Sequence, residues 1–249
     1  MSRQYIVVLV IIFLTNSCKE HDPCEDLVKG VYIFPELPEN HGMTSQEVTE
    51  FWDLPEDICD CITTEGLIET CLNYPDLRLI MSGLNPQSGY DLLVKERFRG
   101  IRELELRPDR GTYLLKKLQK VDPLGYDPNW PASEIGAYNF DIYYLEIIFS
   151  QYVNLETLSN SERIKLIEKG IEIYKKMKED ADNYSLFGLE CTTVLLGRLM
   201  YYFEFSDMVD LYNQDYQIKE LIKFYGPSSI ETVELVYNLS KEYLNYLKN

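Results

Sequence analysis

The sequence predicts an all-α protein, an irregular helical array or α-solenoid-like bundle of roughly eight to ten helices. Three observations carry that expectation. No stretch alternates apolar and polar residues over six positions beside hairpin turns, so no half-buried strand is indicated. Several short motifs have the residue order that starts a helix. Between them, apolar residues return every three or four positions and so share one helical face.

The helix starts follow in order. Thr44-Ser45-Gln46-Glu47 is a capping box, in which the threonine oxygen takes the Glu47 amide and the carboxylate reaches back. Met43 and Val48 stand where a hydrophobic staple would close over it. Asp53-Leu54-Pro55-Glu56 opens a second helix, with proline where its missing N–H costs little. Thr63 or Thr64 opens a third, and Asn73-Tyr74-Pro75 ends it, because the residue before proline leaves the α region. Ser159-Asn160-Ser161-Glu162 and Ser228-Ser229-Ile230-Glu231 read as further capping boxes. After the first, Ile164, Ile167, Ile171 and Tyr174 recur at helical spacing; after the second, Val233, Val236, Tyr237, Tyr243, Leu244 and Leu247 do so. Residues 138–153 and 184–205 are apolar nearly all round, which marks helices buried among helices. Glu190 and Arg198 would each cost about 2.5–3.5 kcal/mol in a bilayer, so 184–205 belongs in a protein core. The C-terminal half reads as two helical hairpins, 159–205 and 211–248, with no repeat strong enough to name a class.

The N-terminus has a different character. Arg3 precedes ten uncharged residues, YIVVLVIIFL at 5–14, and then TNSCKEHD at 15–22. A ten-residue helix rises about 15 Å, half the roughly 30 Å of a bilayer core, so the run suits a secretory leader rather than a span. This arrangement resembles the lipobox of bacterial lipoproteins, although Thr15 and Asn16 are less usual and the leucine sits one place early. The resemblance implies a diacylglycerol thioether on Cys18, removal of residues 1–17 and acylation of the new amine. Cys18-Lys19-Glu20-His21-Asp22 resembles the lysine-plus-acid tail of surface-exported lipoproteins of the Bacteroidota. The implied location is the outer membrane, at the cell surface or on the periplasmic face, with the lipid bilayer as a partner through acylated Cys18. The expected layout is a signal peptide at 1–17, a lipidated cysteine and acidic tether at 18–42, and one α-helical domain at 43–249, with a subdivision near 122–137. VYIF at 31–34 is expected to dock the tether on the domain.

A second resemblance covers about a third of the chain. TTEGLIETCLNYP at 63–75 and GYDLLVKERFRGIRELELRPDRGTYLLKKLQ at 89–119, in this order, are similar to an uncharacterised helical family of secreted and lipid-anchored Bacteroidota proteins. That likeness bears on fold and location, and it implies no activity, cofactor or catalytic residue.

Charge limits the partners. The formal net charge is −17, and losing residues 1–17 removes Arg3 alone. Such a chain is unsuited to nucleic acid. The charge is also uneven: residues 20–70 carry fourteen acids against Lys29, whereas 95–120 carry nine bases against four acids. Either the two regions face each other in the fold, or Arg99, Arg102 and Arg107 belong to an anion-binding patch for a sulfated or phosphorylated sugar. Cys59 and Cys61 would point to nearly opposite sides of a helix, and no CxxC pair or nearby histidine completes a zinc site. With Cys18 lipidated, five cysteines remain; a bridge could form in an oxidising exterior, but its partners stay open.

Catalytic motifs are scarce. His21 and His41 are the two histidines, both outside the predicted domain, so a Ser-His-Asp or Cys-His site is not expected there. HExxH, GxSxG, GxGxxG and GxxxxGK[ST] do not occur. Asp122, Asp127 and Asn129 make a weak calcium suggestion, and neither metal nor cofactor is expected. Asp141, Glu146 and Glu190 lie in apolar helices, where burial would raise a carboxyl pKa and Arg198 could hold another ionised, the arrangement of a glycan hydrolase. The competing reading makes them buried structural groups. Trp130, with Tyr126, in DPLGYDPNWP at 122–131 could offer a platform for a sugar ring, or could simply pack its loop. The expected role is a non-enzymatic, lipid-anchored protein that binds or scaffolds a protein or glycan partner. Its alternatives are a carboxylate-dependent glycan hydrolase and an immunity-like or inhibitory protein gripping a basic partner.

Overall fold

The computed structural model describes residues 23–39 and 42–249. Within them the protein is all-α: thirteen α-helices, two short 3₁₀ segments and a π-helical stretch at Tyr90–Lys95, with no strand. The count exceeds the eight to ten expected because helices such as Pro86–Gly89 (α4) and Tyr152–Leu155 (α8) are single turns, too short to leave a period.

Most starts form as the side chains dictate. Thr44 caps α1 (Ser45–Phe51) and Ser159 caps α9 (Asn160–Glu179), each with a complete capping box. After α2 (Glu56–Cys61), Thr63 caps α3 (Thr64–Leu72) through the Gly66 amide. At α13 (Ile230–Lys248) the cap is Ser229, whose oxygen takes the Thr232 amide; the third helical residue is therefore a threonine, and the box read at 228–231 does not form. The hairpin expected at 211–248 contains an additional helix, because Asp215 accepts the Gln217 and Ile218 amides and starts α12 (Tyr216–Phe224) directly after α11 (Ser206–Gln214).

The hub is α10 (Leu186–Tyr202), which packs on α7 (Ala132–Phe149), α9, α11, α12 and α13. Gly197 permits this crowding: a Cβ there would lie 2.2 Å from Ile222 Cδ1. Glu190 and Arg198 are buried within protein, as their cost in lipid requires. Among the described residues no helix is long and apolar enough to cross a membrane. The subdivision expected near 122–137 does not divide the core, since Leu118 and Ile142 on either side of it join one apolar cluster.

The acidic and basic regions meet across α3, α5 (Arg99–Leu106) and α6 (Arg110–Gln119). Lys117 pairs with Glu69 at 2.7 Å, Lys120 with Glu65 at 3.6 Å, and Arg99 with Asp53 at 3.8 Å. Part of the expected tether belongs to this same half of the molecule. Cys24 is disulfide-bonded to Cys61, and the turn at Lys29 and Gly30 (φ 53° and 80°) brings the Gly30 carbonyl against Gly66, where a Cβ would sit 2.0 Å from that oxygen. The Tyr32 N–H donates to Thr70 Oγ1 at 3.1 Å, and the Phe34 ring meets Tyr74 and Phe98 edge-on. The Trp52 indole donates to the Pro35 carbonyl at 3.0 Å. Residues 24–35 therefore form a strap on the domain rather than a free tether.

Candidate functional site

A surface hollow is built where α10 ends. The Phe205 N–H reaches back to the Met200 carbonyl at 3.0 Å and the Glu204 N–H to Tyr201 at 3.1 Å, with Glu204 left-handed at φ 55°. This is a Schellman ending in which a glutamate occupies the position usually given to glycine. It turns the chain straight into α11, so the last tyrosines of α10 face the first turns of α11. On the other flank, Ser150 closes α7, Gln151 is extended, and α8 begins at Tyr152. Tyr152 thereby stacks on Tyr202 with centroids 5.9 Å apart, and Tyr201 leans on Tyr212 at 4.3 Å.

A hollow of about 610 Å³ results, floored by Tyr152, Tyr201 and Tyr202 and edged by Glu204, Ser206 and Asp210. A second, of about 350 Å³, shares Tyr152 and Tyr201 and is lined by Gln87, Asp91, Gln151, Arg198 and Tyr212. Both volumes are in the range of small-molecule pockets. Tyr152 and Tyr202 remain 38% exposed, although each turns part of its ring toward the other.

Arg198 anchors the second hollow and is 3% exposed. Its Nε donates to the Ile222 carbonyl at 2.7 Å, one terminal nitrogen to Lys223 at 3.0 Å and the other to Ser150 Oγ at 3.4 Å. The two carbonyls are at the negative end of the α12 dipole, which favours a cation. The rings of Tyr225 and Tyr152 lie 4.9 and 5.8 Å from the guanidinium carbon. Burial pushes the Tyr152 phenol up to about 12, against the pull of Arg198, and raises Tyr212 as well. These phenols are neutral hydrogen-bonding groups at ordinary pH.

The carboxylates singled out from sequence do not converge. Asp141 faces solvent at a shallow cleft with Lys117 and Tyr138; desolvation raises its pKa and Lys117 opposes the rise. Glu146 is sealed inside, with its pKa pushed up to about 8 by desolvation. Glu190, raised by desolvation, accepts from the Ser228 N–H at 3.2 Å and hydroxyl at 2.8 Å and so pins the loop before α13. Asp141 and Glu146 are five residues apart on α7, about 140° around the axis, which explains their separate surroundings. Arg198, offered as their partner, makes no ion pair with any of them among the described residues.

The other nominated residues have internal work. The Arg99 N–H donates to Asp53 at 2.6 Å and its guanidinium to the Leu54 carbonyl. Arg102 caps the π-helical stretch through the Lys95 and Glu96 carbonyls, and Arg107 binds the Cys59 carbonyl and Glu103. They are braces rather than an open anion patch, because each guanidinium meets carbonyls or acids of its own fold. Trp130 lies against Tyr138, which meets Tyr126, whose hydroxyl donates to Asp180; the loop is packed down, with the Trp130 ring partly exposed. Asp122 pairs with Lys176, and Asp127 accepts the Asn129 N–H, so neither is held open for a cation. The described residues contain no group of three or more His, Cys, Asp or Glu able to hold a metal. Cys59, Cys71 and Cys191 are buried free thiols. Cys18, His21 and His41 are outside the described residues.

No family model matches the chain, and comparison with curated proteins and with solved structures finds no match either. The tyrosine groove was missed in sequence because YYFEF at 201–205 reads as the end of a buried helix. The available signal was the choice of tyrosine over leucine there, a ring with one wet edge.

Proposed function

We propose that this is a lipid-anchored bacterial envelope protein that binds a saccharide in the groove between α8, α10 and α11. The observation that carries this reading is the tyrosine-floored pair of hollows. Flat aromatic faces take the C–H side of a sugar ring, while Glu204, Ser206, Asp210 and Gln151 supply polar groups for its hydroxyls. Tyrosine offers such contact at small conformational cost. The volumes are of the size that takes a small ligand such as a short saccharide. The envelope location is supported by the leader, by the resemblance of 63–75 and 89–119 to secreted proteins, and by a disulfide suited to an oxidising compartment. The inhibitory alternative is weakened because Asp53, Glu65 and Glu69 are engaged by the protein's own bases. A hydrolase lacks a cleft shared by Asp141, Glu146 and Glu190.

Two experiments test this. On a saccharide array, Tyr152→Ala and Tyr202→Ala should each cut retention about tenfold, the loss of roughly 1.4 kcal/mol, without lowering the melting temperature by more than a few degrees. Retention unchanged in both variants would remove the groove from the proposal. Replacing Cys18 with serine should abolish labelling by a fatty-acid analogue; a labelled serine variant would refute the anchor.

A further inference from the structure

Arg198 holds more hydrogen-bonding capacity than the fold uses. A guanidinium has five N–H donors. Here three are engaged, by Ile222, Lys223 and Ser150, which leaves one on each terminal nitrogen without an acceptor among the described residues. No carboxylate of the described residues is within ion-pair distance of it. Among the described residues its charge is met by the α12 carbonyls, the Ser150 hydroxyl and the two tyrosine faces. A cation that is 97% buried with no counter-ion is costly to keep, and an arriving anion would offset that cost. Two donors on one planar fork also match a carboxylate accepted through both oxygens.

Bases flank this hollow, while the acids Glu204 and Asp210 edge the adjoining one. Lys223 stands at the edge of the same hollow, and Lys219 lies over the Tyr212 ring. Asp91 is the acid of this hollow, and Gln87 Nε2 already donates to it at 3.0 Å while also bonding Gln151. We infer that the hollow at Arg198 is a subsite for the carboxylate of an acidic saccharide, a uronic or sialic type of residue, whose neighbouring rings lie on Tyr152, Tyr201 and Tyr202. This rests on the saccharide reading of the groove. Arg198 then serves twice: its engaged donors fix α12 against α10, and its spare donors read the ligand.

The test compares acidic saccharides with their carboxyl-reduced forms. Oligosaccharides ending in glucuronate, galacturonate and N-acetylneuraminate are immobilised beside their reduced counterparts and beside sulfated neutral oligosaccharides. At least one acid should be retained more than tenfold over its reduced form. Lys223→Ala, an exposed side chain whose carbonyl is kept, should lower retention of the acid about threefold and leave the reduced form unchanged. Arg198→Lys should erase the preference for the acid, with its melting curve checking that the fold survives. If the variant unfolds, the wild-type ratio and Lys223→Ala decide. Equal retention of acid and reduced forms overturns the subsite while leaving the groove standing. A sulfated oligosaccharide retained in place of every uronate or sialate overturns the carboxylate assignment. No retention of any saccharide overturns both readings.

Discussion

Glu146 supplies the sharpest test of the core. It is fully buried on α7; one oxygen accepts from the Thr192 hydroxyl at 2.8 Å and the other has no partner. Desolvation pushes its pKa up to about 8 from an ordinary 4.5, and the Thr192 bond opposes the rise. The folded protein therefore keeps the proton to about pH 8, while the unfolded chain releases it near 4.5. Unfolding sheds a proton in that window, so the contribution of this group is full below about 4.5 and declines as pH rises toward 8. At one pKa unit per 1.36 kcal/mol, the decline between pH 5 and 8 is about 3 kcal/mol. Glu146→Gln keeps the shape and the Thr192 bond but cannot ionise. Its amide protons lack acceptors, a penalty of about 1–3 kcal/mol that does not change with pH. Urea unfolding of both proteins at pH 5, 6, 7 and 8, followed by circular dichroism, should show the variant gaining on the wild type by about 3 kcal/mol across the series. All other titrating groups cancel in that difference. Parallel stability curves would mean that Glu146 ionises as easily inside as outside, and would refute the reasoning.

Two further outcomes follow from local geometry. The Cys24–Cys61 bridge closes 37 residues, so chain entropy assigns it about 4 kcal/mol; Cys24→Ser should lower the melting temperature by about 10 °C, read by calorimetry in oxidising buffer. Glu204 and Tyr225 both have φ 55°, yet glycine should act oppositely at the two. Glu204→Gly relieves about 1 kcal/mol and raises the melting temperature by two to four degrees. Tyr225→Gly removes a buried ring that faces Arg198 and bonds Ser150, and should cost more than about 2 kcal/mol.

The parts of the fold that could be read from sequence were those governed by local chemistry. Thr44, Thr63 and Ser159 each act on the amide three residues on, so the starts of α1, α3 and α9 were visible before any tertiary contact was known. The meeting of the acidic and basic regions was readable as an alternative, because charge imbalance in one segment needs an answer elsewhere. The partners were not, since Lys117 finds Glu69 only through the packing of α6 on α3. The groove was hidden for the same reason. Tyr152 and Tyr202 are fifty residues apart, and their stack depends on the break after Ser150 and the left-handed turn at Glu204. Arg198 was noticed in an apolar helix and expected to partner a carboxylate; its partners proved to be carbonyls of α12, which composition cannot reveal.

The net charge of −17 sets a condition on the proposed ligand. A molecule this acidic repels an acidic saccharide at long range, and salt screens that repulsion beyond a Debye length of about 8 Å at physiological strength. A contact at buried Arg198 is screened far less. Moderate salt should therefore leave the affinity unchanged or improve it, chiefly through faster association. Retention on exposed lysines would show the opposite trend, because each such contact weakens as salt rises. Measuring acid retention at 50, 150 and 300 mM sodium chloride thus separates the two physical origins, and a fall with salt beyond the roughly threefold share of exposed Lys223 would place the anion on the surface rather than at Arg198.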